Sequence, residues 1–461
     1  MSDDAVAQTN TTTEEHTHNL DEARDLAEAA RTVLEANDRG RYTVPAGELY
    51  PHQWLWDSCF TAIGIRHYDV ERAKIELLSL LRGQWSNGML PHMIFKGDTG
   101  YHPQPDQNAW RSWTNPFSPD DVKTSGITQP PMLAEAVVQI GQSLELAERR
   151  SWYKMMWPGL LAYHEWLYRD RDPHGEGLVV LVHPWETGLD NTPPWMDQLH
   201  EHMMPAWIRV MEKTKLEKLV SFLRRDTRVV PPDQRFTNID VLSLYSVQRR
   251  LRRKNYDIQK VLNHSMFTIE DLTFNCILIR ANEHLRAIAK TIRETIPEEL
   301  DRQMQLAPKK LEELWDPYVQ SYFSRDFVTH KLLKEQSIAA LMPLYAGTIS
   351  QERADLIVRG LESEHLFGPA FPVPSVPTSS TWFNPKRYWQ GPSWVNTNWL
   401  IIQGLEHYGF HKHAEALRES TLEMVAEGGF YEYFNPLTGE PLGSSNFSWT
   451  AALTIVLLHK R

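Results

Sequence analysis

Apolar residues recur at helical spacing through most of the chain, and alternating strand patterns are almost absent. In the first such segment, 20–37, Leu20, Ala27, Ala30 and Leu34 mark the apolar face. Further helices are predicted over 57–68, 70–84, 130–150, 152–169, 203–224, 241–263, 269–295, 308–322, 330–345, 351–361, 392–408, 412–427 and 447–459. The pattern therefore predicts about fourteen helices and an all-α protein.

The connections between these helices are of two kinds. Short, plain connections alternate with loops rich in aromatic residues, glycine, proline and carboxylates, near positions 53, 92, 129, 187, 235, 272, 388 and 432. Most of the unusual loops lie about 40 to 60 residues apart, roughly two helices with their connections. A closed ring of helix pairs brings alternate connections to one end, so we predict an (α/α)6 barrel with a site at one mouth. Two separate helical domains are the structural alternative.

Two parts of the chain depart from this regular pattern. Residues 1–18 are polar and include a threonine run, so we expect a disordered tail. Residues 19–461 are then predicted to form a single catalytic domain, with long loops forming a cap over one mouth. The cap-forming insertions are placed near 85–128 and 200–265, because long loops without apolar periodicity are usually functional.

Charge and segment composition narrow the possible partners. The 48 Lys and Arg against 59 Asp and Glu give a net charge of −11, which argues against nucleic acid or an anionic membrane as a partner. No signal-like or membrane-spanning apolar run occurs, so we expect a cytoplasmic protein that acts on a small molecule. Cys59 and Cys276 lie in apolar helical patterns and are predicted to be buried free thiols. A homo-oligomer remains open.

Metal and cofactor motifs are missing from the sequence. It contains no HExxH, CxxC, P-loop or GxSxG pattern. His52, His92 and His183 stand alone in loops, where histidines are more often hydrogen-bonded pocket residues than metal ligands. We therefore predict no metal and no cofactor.

The aromatic residues are the most unusual part of the composition. The chain holds 17 Trp, 16 Tyr and 16 Phe, and many of them lie beside Gly, Pro, Asn or Asp. Such loop aromatics tend to line pockets and suit the apolar faces of sugars, although tryptophan also anchors the cores of helical proteins. Trp54 and Trp56 precede Asp57 and cannot share one helical face. In a loop they form a wall and a platform, with Asp57 available to hydroxyl groups.

Two carboxylates in aromatic loops suggest the chemistry. Asp190 lies four residues after Glu186 in a loop broken by Gly188 and two prolines, and Glu432 is flanked by tyrosines. Glycosidic bond hydrolysis uses two such groups, one to protonate the leaving oxygen and one as base or nucleophile. We predict that Asp190 and Glu432 form this pair and that Glu186 supports the loop. By itself, the loop is equally compatible with a capped turn.

Four motifs, in order, resemble glycoside hydrolase family 63. They span Tyr50–Ser58, Glu186–Pro193, Arg387–Trp394 and Tyr431–Pro436, and the resemblance extends from about residue 42 to the C-terminus. It is nearest to the bacterial mannosylglycerate and glucosylglycerate hydrolases. The resemblance implies an (α/α)6 barrel and an inverting mechanism, with Asp190 as general acid and Glu432 as general base.

The resemblance also implies a set of substrate contacts. Trp54, Trp56, Asp57 and Phe60 fall on the wall of the sugar subsite, Gln129, Tyr388, Trp389 and Trp394 on further contacts, and Tyr50 and Tyr101 on loops that close over substrate. Segment 226–240 departs from the family pattern, since Phe236 follows Arg235 and Val241 stands near an expected tyrosine. A glycerate carboxylate would need a cation, for which Arg235 and Arg387 are candidates unless they form structural ion pairs.

These observations predict an enzyme of carbohydrate metabolism. We expect an inverting glycoside hydrolase that cleaves the α-glycosidic bond of a small compatible solute, glucosylglycerate or mannosylglycerate, to sugar plus glycerate. The alternatives are a family-63-like α-glucosidase acting on a disaccharide or on glucosylglycerol, and a non-catalytic sugar-binding barrel. Both acids are present, which argues against the non-catalytic alternative.

Overall fold

The computed structural model describes residues 22–96, 107–201, 204–216, 224, 226–264, 267–368 and 371–459. The predicted tail, 1–18, lies outside these residues. Helix α1 spans 22–37. The following helices are α2 (Leu55–Ile65), α3 (Val70–Leu81), α4 (Gln107–Trp110), α5 (Leu133–Gln142), α6 (Leu146–Arg171), α7 (Pro193–Glu201), α8 (Ala206–Lys213), α9 (Asp226–Val229), α10 (Asn238–Arg253), α11 (Ile258–His264), α12 (Leu272–Ile292), α13 (Glu298–Leu311), α14 (Met342–Ala346), α15 (Gln351–Leu361), α16 (Val395–His407), α17 (His411–Gly428) and α18 (Ser448–Leu458).

Six of these helices form a closed inner ring. In order, α2, α5, α12, α14, α16 and α18 each contact the next, and α18 packs back against α2. Helices α3, α6, α13, α15 and α17 pack outside, each against the inner helix that precedes it. This arrangement is the predicted (α/α)6 barrel. Cys59 and Cys276 are buried free thiols on inner helices, as expected.

The strands are short and lie in the loops. They are β1 (Gln53–Trp54), β2 (Met93–Phe95), β3 (Lys123–Thr124), β4 (Ile269–Glu270), β5 (Trp315–Asp316), β6 (Ser321–Tyr322), β7 (Arg325–Asp326), β8 (Tyr433–Phe434) and β9 (Pro441–Leu442). Antiparallel pairing joins β1 to β2 and β2 to β3, and also β4 to β7, β5 to β6 and β8 to β9. The β1–β2–β3 sheet and the β4–β7 pair join loops that are distant in sequence, whereas β5–β6 and β8–β9 are local hairpins.

Several helix boundaries follow from local caps. Asp69 accepts a hydrogen bond from the Arg72 amide at 2.9 Å and caps the start of α3. Asp271 caps α12 through the Phe274 amide at 2.8 Å. Thr237 and Asp240 form a reciprocal capping box at the start of α10.

Some predicted boundaries were wrong. The predicted helix 130–150 ends at Gln142, and α6 begins at Leu146 and runs on to Arg171 through an interior proline. The predicted helix 241–263 is two helices, because Asn255 and Tyr256 have positive φ angles of 52° and 58° and break the helical path.

Two further helices were misplaced. The predicted helix 308–322 is instead α13, which starts after Pro297 with acidic residues in its first turn and ends at Leu311. The second half of the predicted range 308–322 contains β5 and β6 instead of helix. The prediction for 330–345 holds only for its end, where a 3-10 turn leads into α14.

The two predicted insertions contact each other. Helix α4 packs on α10, and α10 packs on α8. The side chains of Gln248 and Arg252 both donate to the Ala109 carbonyl oxygen at 2.9 Å. The role of these segments as a cap stays a prediction. None of the described helices is long and apolar enough to span a bilayer.

Candidate active site

A pocket opens where the inner helices begin. Its walls come from the segments that lead into α2, α5, α16 and α18, and from the loop before α7. The lining residues are Pro45, Tyr50, Trp54, Trp56, Asp57, His92, Gln129, Trp185, Gly188, Asp190, Tyr388, Trp389, Glu432, Phe447 and Trp449. Six of the eight loops singled out from the sequence, near 53, 92, 129, 187, 388 and 432, therefore line one pocket, whereas those near 235 and 272 contribute no lining residue.

Hydrogen bonds within the loop that carries Asp190 fix its conformation. Thr187 Oγ1 donates to the Pro184 carbonyl at 2.7 Å and accepts from the Leu189 amide at 2.9 Å. Gly188 has a φ of 73°, and a Cβ atom there would lie 2.6 Å from the Trp56 ring. Only glycine fits this turn, which presses the loop against the aromatic wall.

Glu186 anchors the same loop from behind, as predicted for a supporting residue. Arg171 donates to its two oxygens at 2.6 and 2.9 Å, and the Thr128 and Val182 amides donate at 3.2 and 2.7 Å. Both side chains of the ion pair are buried. A carboxylate so fully paired is committed to structure, and of the two acids in the loop only Asp190 lines the pocket.

The surroundings of the Asp190 carboxyl group favour its protonated form. Burial, with the nearby Glu432 charge, raises its pKa to about 8, against opposing effects of Arg235 and a hydrogen bond from Tyr388. A neutral carboxyl group at neutral pH can donate a proton. Its position on the pocket wall makes that proton available to a bound ligand.

Glu432 is equally buried but has more donors. Tyr50 Oη donates to Oε1 at 2.7 Å, while Arg235 Nη1 and the Ser444 amide donate to Oε2 at 3.4 and 3.1 Å. Burial raises the pKa of Glu432, and these three donors oppose the rise. Because a guanidinium and two neutral donors favour the charged form, a proton shared by the two acids resides on Asp190.

Arg235 lies behind Glu432 rather than on the pocket wall. Its guanidinium stacks over the rings of Tyr388 and Tyr50, at 4.5 and 5.9 Å from their centroids. On its other side, Asp226 Oδ2 lies 3.7 Å from Arg235 Nε. Arg224 donates to both carboxylate oxygens of Asp226, at 2.6 and 3.1 Å. Nε has no hydrogen-bond acceptor among the described residues.

The aromatic wall has two layers. Trp54, Trp56 and Trp389 line the pocket. Trp394 stacks on Trp389 with ring centroids 3.8 Å apart, and Phe60 packs behind Trp56 at 5.6 Å. Phe60 and Trp394 are therefore placed in support of the wall rather than on its surface.

Asp57 and Gln129 supply polar groups to the same pocket. Burial raises the pKa of Asp57 well above its usual range, and the charges of Glu432 and Asp190 add to the effect. The Gln129 side-chain oxygen accepts from the Trp56 amide at 3.4 Å. A buried carboxyl and a fixed amide beside aromatic rings can orient the hydroxyl groups of a sugar.

The remaining predictions on individual residues have different outcomes. Tyr101 lies outside the described residues. Arg387 is half-buried and is not part of the pocket lining. Sequence reasoning missed the contributions of Trp185, Phe447 and Trp449 to the lining. Trp449 occurs within the apolar pattern of α18, which predicts a core position. Trp185 directly precedes Glu186 in a loop already singled out, and this position could have identified it as a lining residue.

The fold and pocket together define a class of protein. The helical barrel holds an aromatic cleft at its mouth, where burial raises the pKa values of Asp57 and Asp190 and where Glu432 accepts hydrogen bonds from three donors. Such a cleft is built for acid–base cleavage of a glycosidic bond.

Comparison with known proteins agrees with this class. The family model for the mannosylglycerate hydrolase MGH1-like glycoside hydrolase domain matches residues 50–450. The mannosylglycerate hydrolase of Thermus thermophilus is 40% identical over 92% of this chain and 98% of its own length. The glucosylglycerate hydrolase of Mycolicibacterium hassiacum is 32% identical over 93% and 97% of the two chains.

A solved structure extends the likeness to three dimensions. The crystal structure of a family 63 mannosylglycerate hydrolase from Thermus thermophilus, in complex with Tris and D-glycerate, superposes with a TM-score of 0.83 at 38% identity, covering 95% of this chain and 100% of the other. The chain belongs to the MGH1-like family of glycoside hydrolases, within glycoside hydrolase family 63. This confirms the resemblance inferred from the four motifs.

Proposed function

We propose that the protein is an inverting hydrolase of 2-O-α-glycosylglycerates, with mannosylglycerate and glucosylglycerate as candidate substrates. The observation that carries the proposal is one pocket with two acids in unlike surroundings and a buried guanidinium next to one of them. The two acids serve hydrolysis, and the cation suits an anionic aglycone. The names of the relatives support the same substrate class.

In this mechanism the two acids act at the same time. Asp190 donates its proton to the glycosidic oxygen while the bond to the anomeric carbon breaks. Glu432 accepts a proton from a water molecule that attacks the anomeric carbon from the opposite face. The products are glycerate and a sugar of inverted configuration, and solvent then restores the two protonation states.

The pocket walls position the sugar for this attack. The Trp56 and Trp389 rings offer apolar faces to the sugar ring, and Asp57 and Gln129 lie where hydroxyl groups can bond to them. The positive charge of Arg235 offsets the negative charge that a glycerate carboxylate brings beside Glu432.

The aglycone assignment is tested by comparing substrates. Wild-type protein is assayed on mannosylglycerate, glucosylglycerate, glucosylglycerol and kojibiose. Arg235→Ala removes the positive charge that offsets the glycerate carboxylate beside Glu432, so kcat/KM on the glycerates should fall about tenfold, or roughly 1.4 kcal/mol, relative to the neutral glycosides. The ratio between the two substrate classes cancels the shared effect on Glu432.

Arg387→Ala is the matched control, because Arg387 directly precedes Tyr388 in the chain but is not in the pocket lining. Its substrate ratio should match wild type. A wild-type preference for kojibiose or glucosylglycerol, or a ratio unchanged by Arg235→Ala, would favour the neutral α-glucosidase alternative.

A further inference from the structure

Arg235 lies between two carboxylates, of which only one takes part in the proposed mechanism. Its Nη1 atom donates to Glu432 Oε2 at 3.4 Å, and its Nε atom lies 3.7 Å from Asp226 Oδ2. All three side chains are at most 8% exposed, so solvent and salt screen these charges little. Asp226 is not among the residues that line the catalytic pocket.

A second cation lies behind Asp226. Arg224 donates from Nε and Nη2 to the two carboxylate oxygens of Asp226, at 3.1 and 2.6 Å. Burial alone would raise the pKa of Asp226, but the bonds from Arg224 and the charge of Arg235 hold it below its usual range. Asp226 is therefore ionised, and the row of four buried charges that ends at Glu432 alternates in sign.

Hydrogen bonds to the backbone hold both ends of this row in place. The Gln234 carbonyl oxygen accepts from Tyr433 Oη at 2.6 Å, which joins the segment of Arg235 to β8. The Phe236 carbonyl oxygen accepts from Arg224 Nη1 at 2.6 Å. Because the backbone is bonded on both sides of Arg235, its guanidinium is confined between the two carboxylates.

The contact between Arg235 and Glu432 is long for a buried ion pair. One Nη atom reaches one oxygen at 3.4 Å, whereas charge-assisted hydrogen bonds are typically about 2.7–2.9 Å long and Arg–carboxylate pairs are often bidentate. Arg235 therefore gives Glu432 only part of the stabilisation that a guanidinium can supply. A general base requires this, because a carboxylate that is stabilised too strongly loses its affinity for a proton.

We propose that Asp226 is a positioning residue, which holds the guanidinium of Arg235 back from Glu432 and so sets the strength of the base. The inference rests on the proposed function, in which Glu432 activates water. Loss of the Asp226 charge would act in two ways. It would take away a negative charge behind Glu432, and it would free Arg235 to approach Glu432 more closely. Both changes stabilise the ionised form of Glu432.

Other ionisable groups face the same site and are left unchanged by a substitution at Asp226. Around Glu432 and Arg235 they are Tyr50, Asp57, Asp190, Tyr388 and Tyr433. The charge of Arg235 lowers the pKa of Asp190, although the two form no ion pair in the described part of the chain. A change at Asp226 should therefore affect Asp190 in the same direction as Glu432, but less.

The test is the pH profile of kcat/KM from about pH 4 to 10. Asp226→Asn should move the acidic limb to lower pH by about one unit or less, and the basic limb in the same direction by a smaller amount. Because a weaker base accepts a proton less readily, kcat on the plateau should fall about two- to tenfold.

Arg224→Gln changes the same row with the opposite sign. It leaves the Asp226 charge without its bidentate partner, so the acidic limb should move to higher pH. Damage to the fold alone would not produce limb shifts of opposite sign in the two variants. If Asp226→Asn does not fold, the direction of the shift in Arg224→Gln decides the proposal by itself.

Asp233→Asn is the matched control, because it removes the same charge from an exposed position two residues before Arg235. It should shift neither limb. A fixed or raised acidic limb in Asp226→Asn, or shifts of the same sign in Asp226→Asn and Arg224→Gln, would overturn the proposal.

The profiles are recorded on a glycosylglycerate and on kojibiose. If only kojibiose is cleaved, the proposed substrate class fails, whereas the limbs measured on kojibiose still decide the role of Asp226. If the glycosylglycerate is cleaved and the limbs stay fixed in Asp226→Asn, the proposed substrate class stands and the role of Asp226 is refuted.

Discussion

The loop of Asp190 and the segment of Glu432 bring the same chemical group to one pocket but surround it differently. Asp190 has one side-chain hydrogen bond, from Tyr388, and its pKa is raised to about 8. Glu432 accepts from Tyr50, Arg235 and the Ser444 amide. Burial acts on both, so the donors decide which acid keeps the proton.

This difference follows from where each acid lies in the fold. Asp190 closely follows Gly188, where the loop packs against Trp56, and its side chain has a hydrogen bond from Tyr388. Glu432 lies just before β8, beside the guanidinium of Arg235 and opposite the turn that carries Ser444. The proposed roles of acid and base thus follow from the different surroundings of Asp190 and Glu432. Mutations can change each of these surroundings separately.

The largest expected effect is the loss of kcat when either acid is removed. How that loss depends on the leaving group of the substrate distinguishes the two acids. Asp190→Asn and Glu432→Gln should each lower kcat on the glycosylglycerate by about 10²–10⁴-fold, because each removes a proton-transfer partner. A 2,4-dinitrophenyl α-glycoside needs no protonation of its leaving group. Asp190→Asn should therefore recover most of its loss on that substrate, measured as kcat relative to wild type, whereas Glu432→Gln should not.

Asp57→Asn provides the control within the same pocket. Asp57 is also buried and its pKa is also raised, but it is assigned to sugar binding. Its loss should be similar on both substrates. Recovery by Glu432→Gln instead of Asp190→Asn would reverse the two roles.

A pair of tyrosine variants should move the two limbs of the pH profile separately. Deprotonation of Asp190 should lower kcat/KM above about pH 8. The Tyr388 hydrogen bond lowers the pKa of Asp190 and the Tyr50 bond lowers that of Glu432. Tyr388→Phe should therefore shift the basic limb upward and Tyr50→Phe the acidic limb upward, each by about one pH unit or less.

The measurement is kcat/KM from about pH 5 to 10 for both variants and wild type. If both variants move the same limb, the hydrogen bonds do not act on separate acids and the comparison fails.

A further expected effect is on stability. The raised pKa means that folded Asp190 keeps a proton that the unfolded chain releases, so its neutral form costs folding free energy once the pH exceeds the unfolded value. This cost is absent at low pH and grows up to about pH 8. Asp190→Asn, which cannot ionise, should gain up to a few kcal/mol over wild type at about pH 8.5 and little at about pH 4.

Glu186→Gln is the contrasting variant in the same loop, measured by thermal unfolding at both pH values. It leaves the buried Arg171 without its charged partner and should cost about 3–5 kcal/mol. A loss of stability in Asp190→Asn at the higher pH would contradict the assigned protonation state.

The sequence predicted the barrel because its strongest signals are local. The predicted limits of α15 to α18 agree closely with the structure, and α15 begins after Ser350, whose side chain accepts from the Arg353 amide. The break at Asn255 and Tyr256 was missed because both residues are left-handed, a conformation that a lone asparagine signals only weakly and that tyrosine does not signal. The helix limits around Pro308 failed because tertiary packing tolerates that proline inside α13.

The same contrast holds for the pocket. Motifs with an acid between aromatics, such as the one around Glu432, could be read from the chain. The Arg224–Asp226–Arg235 chain of ion pairs could not, because it joins a segment with no apolar period to the last strands of the fold. Such contacts depend on how loops meet in space.

The most direct test of the central claim is the configuration of the first product. Wild-type protein is mixed with its α-glycosylglycerate in an NMR tube, and the anomeric proton signals are followed before mutarotation. If Asp190 is the acid and Glu432 activates water, the β-anomer of the sugar must appear first. Initial release of the α-anomer would contradict the account, because it requires attack by a protein nucleophile.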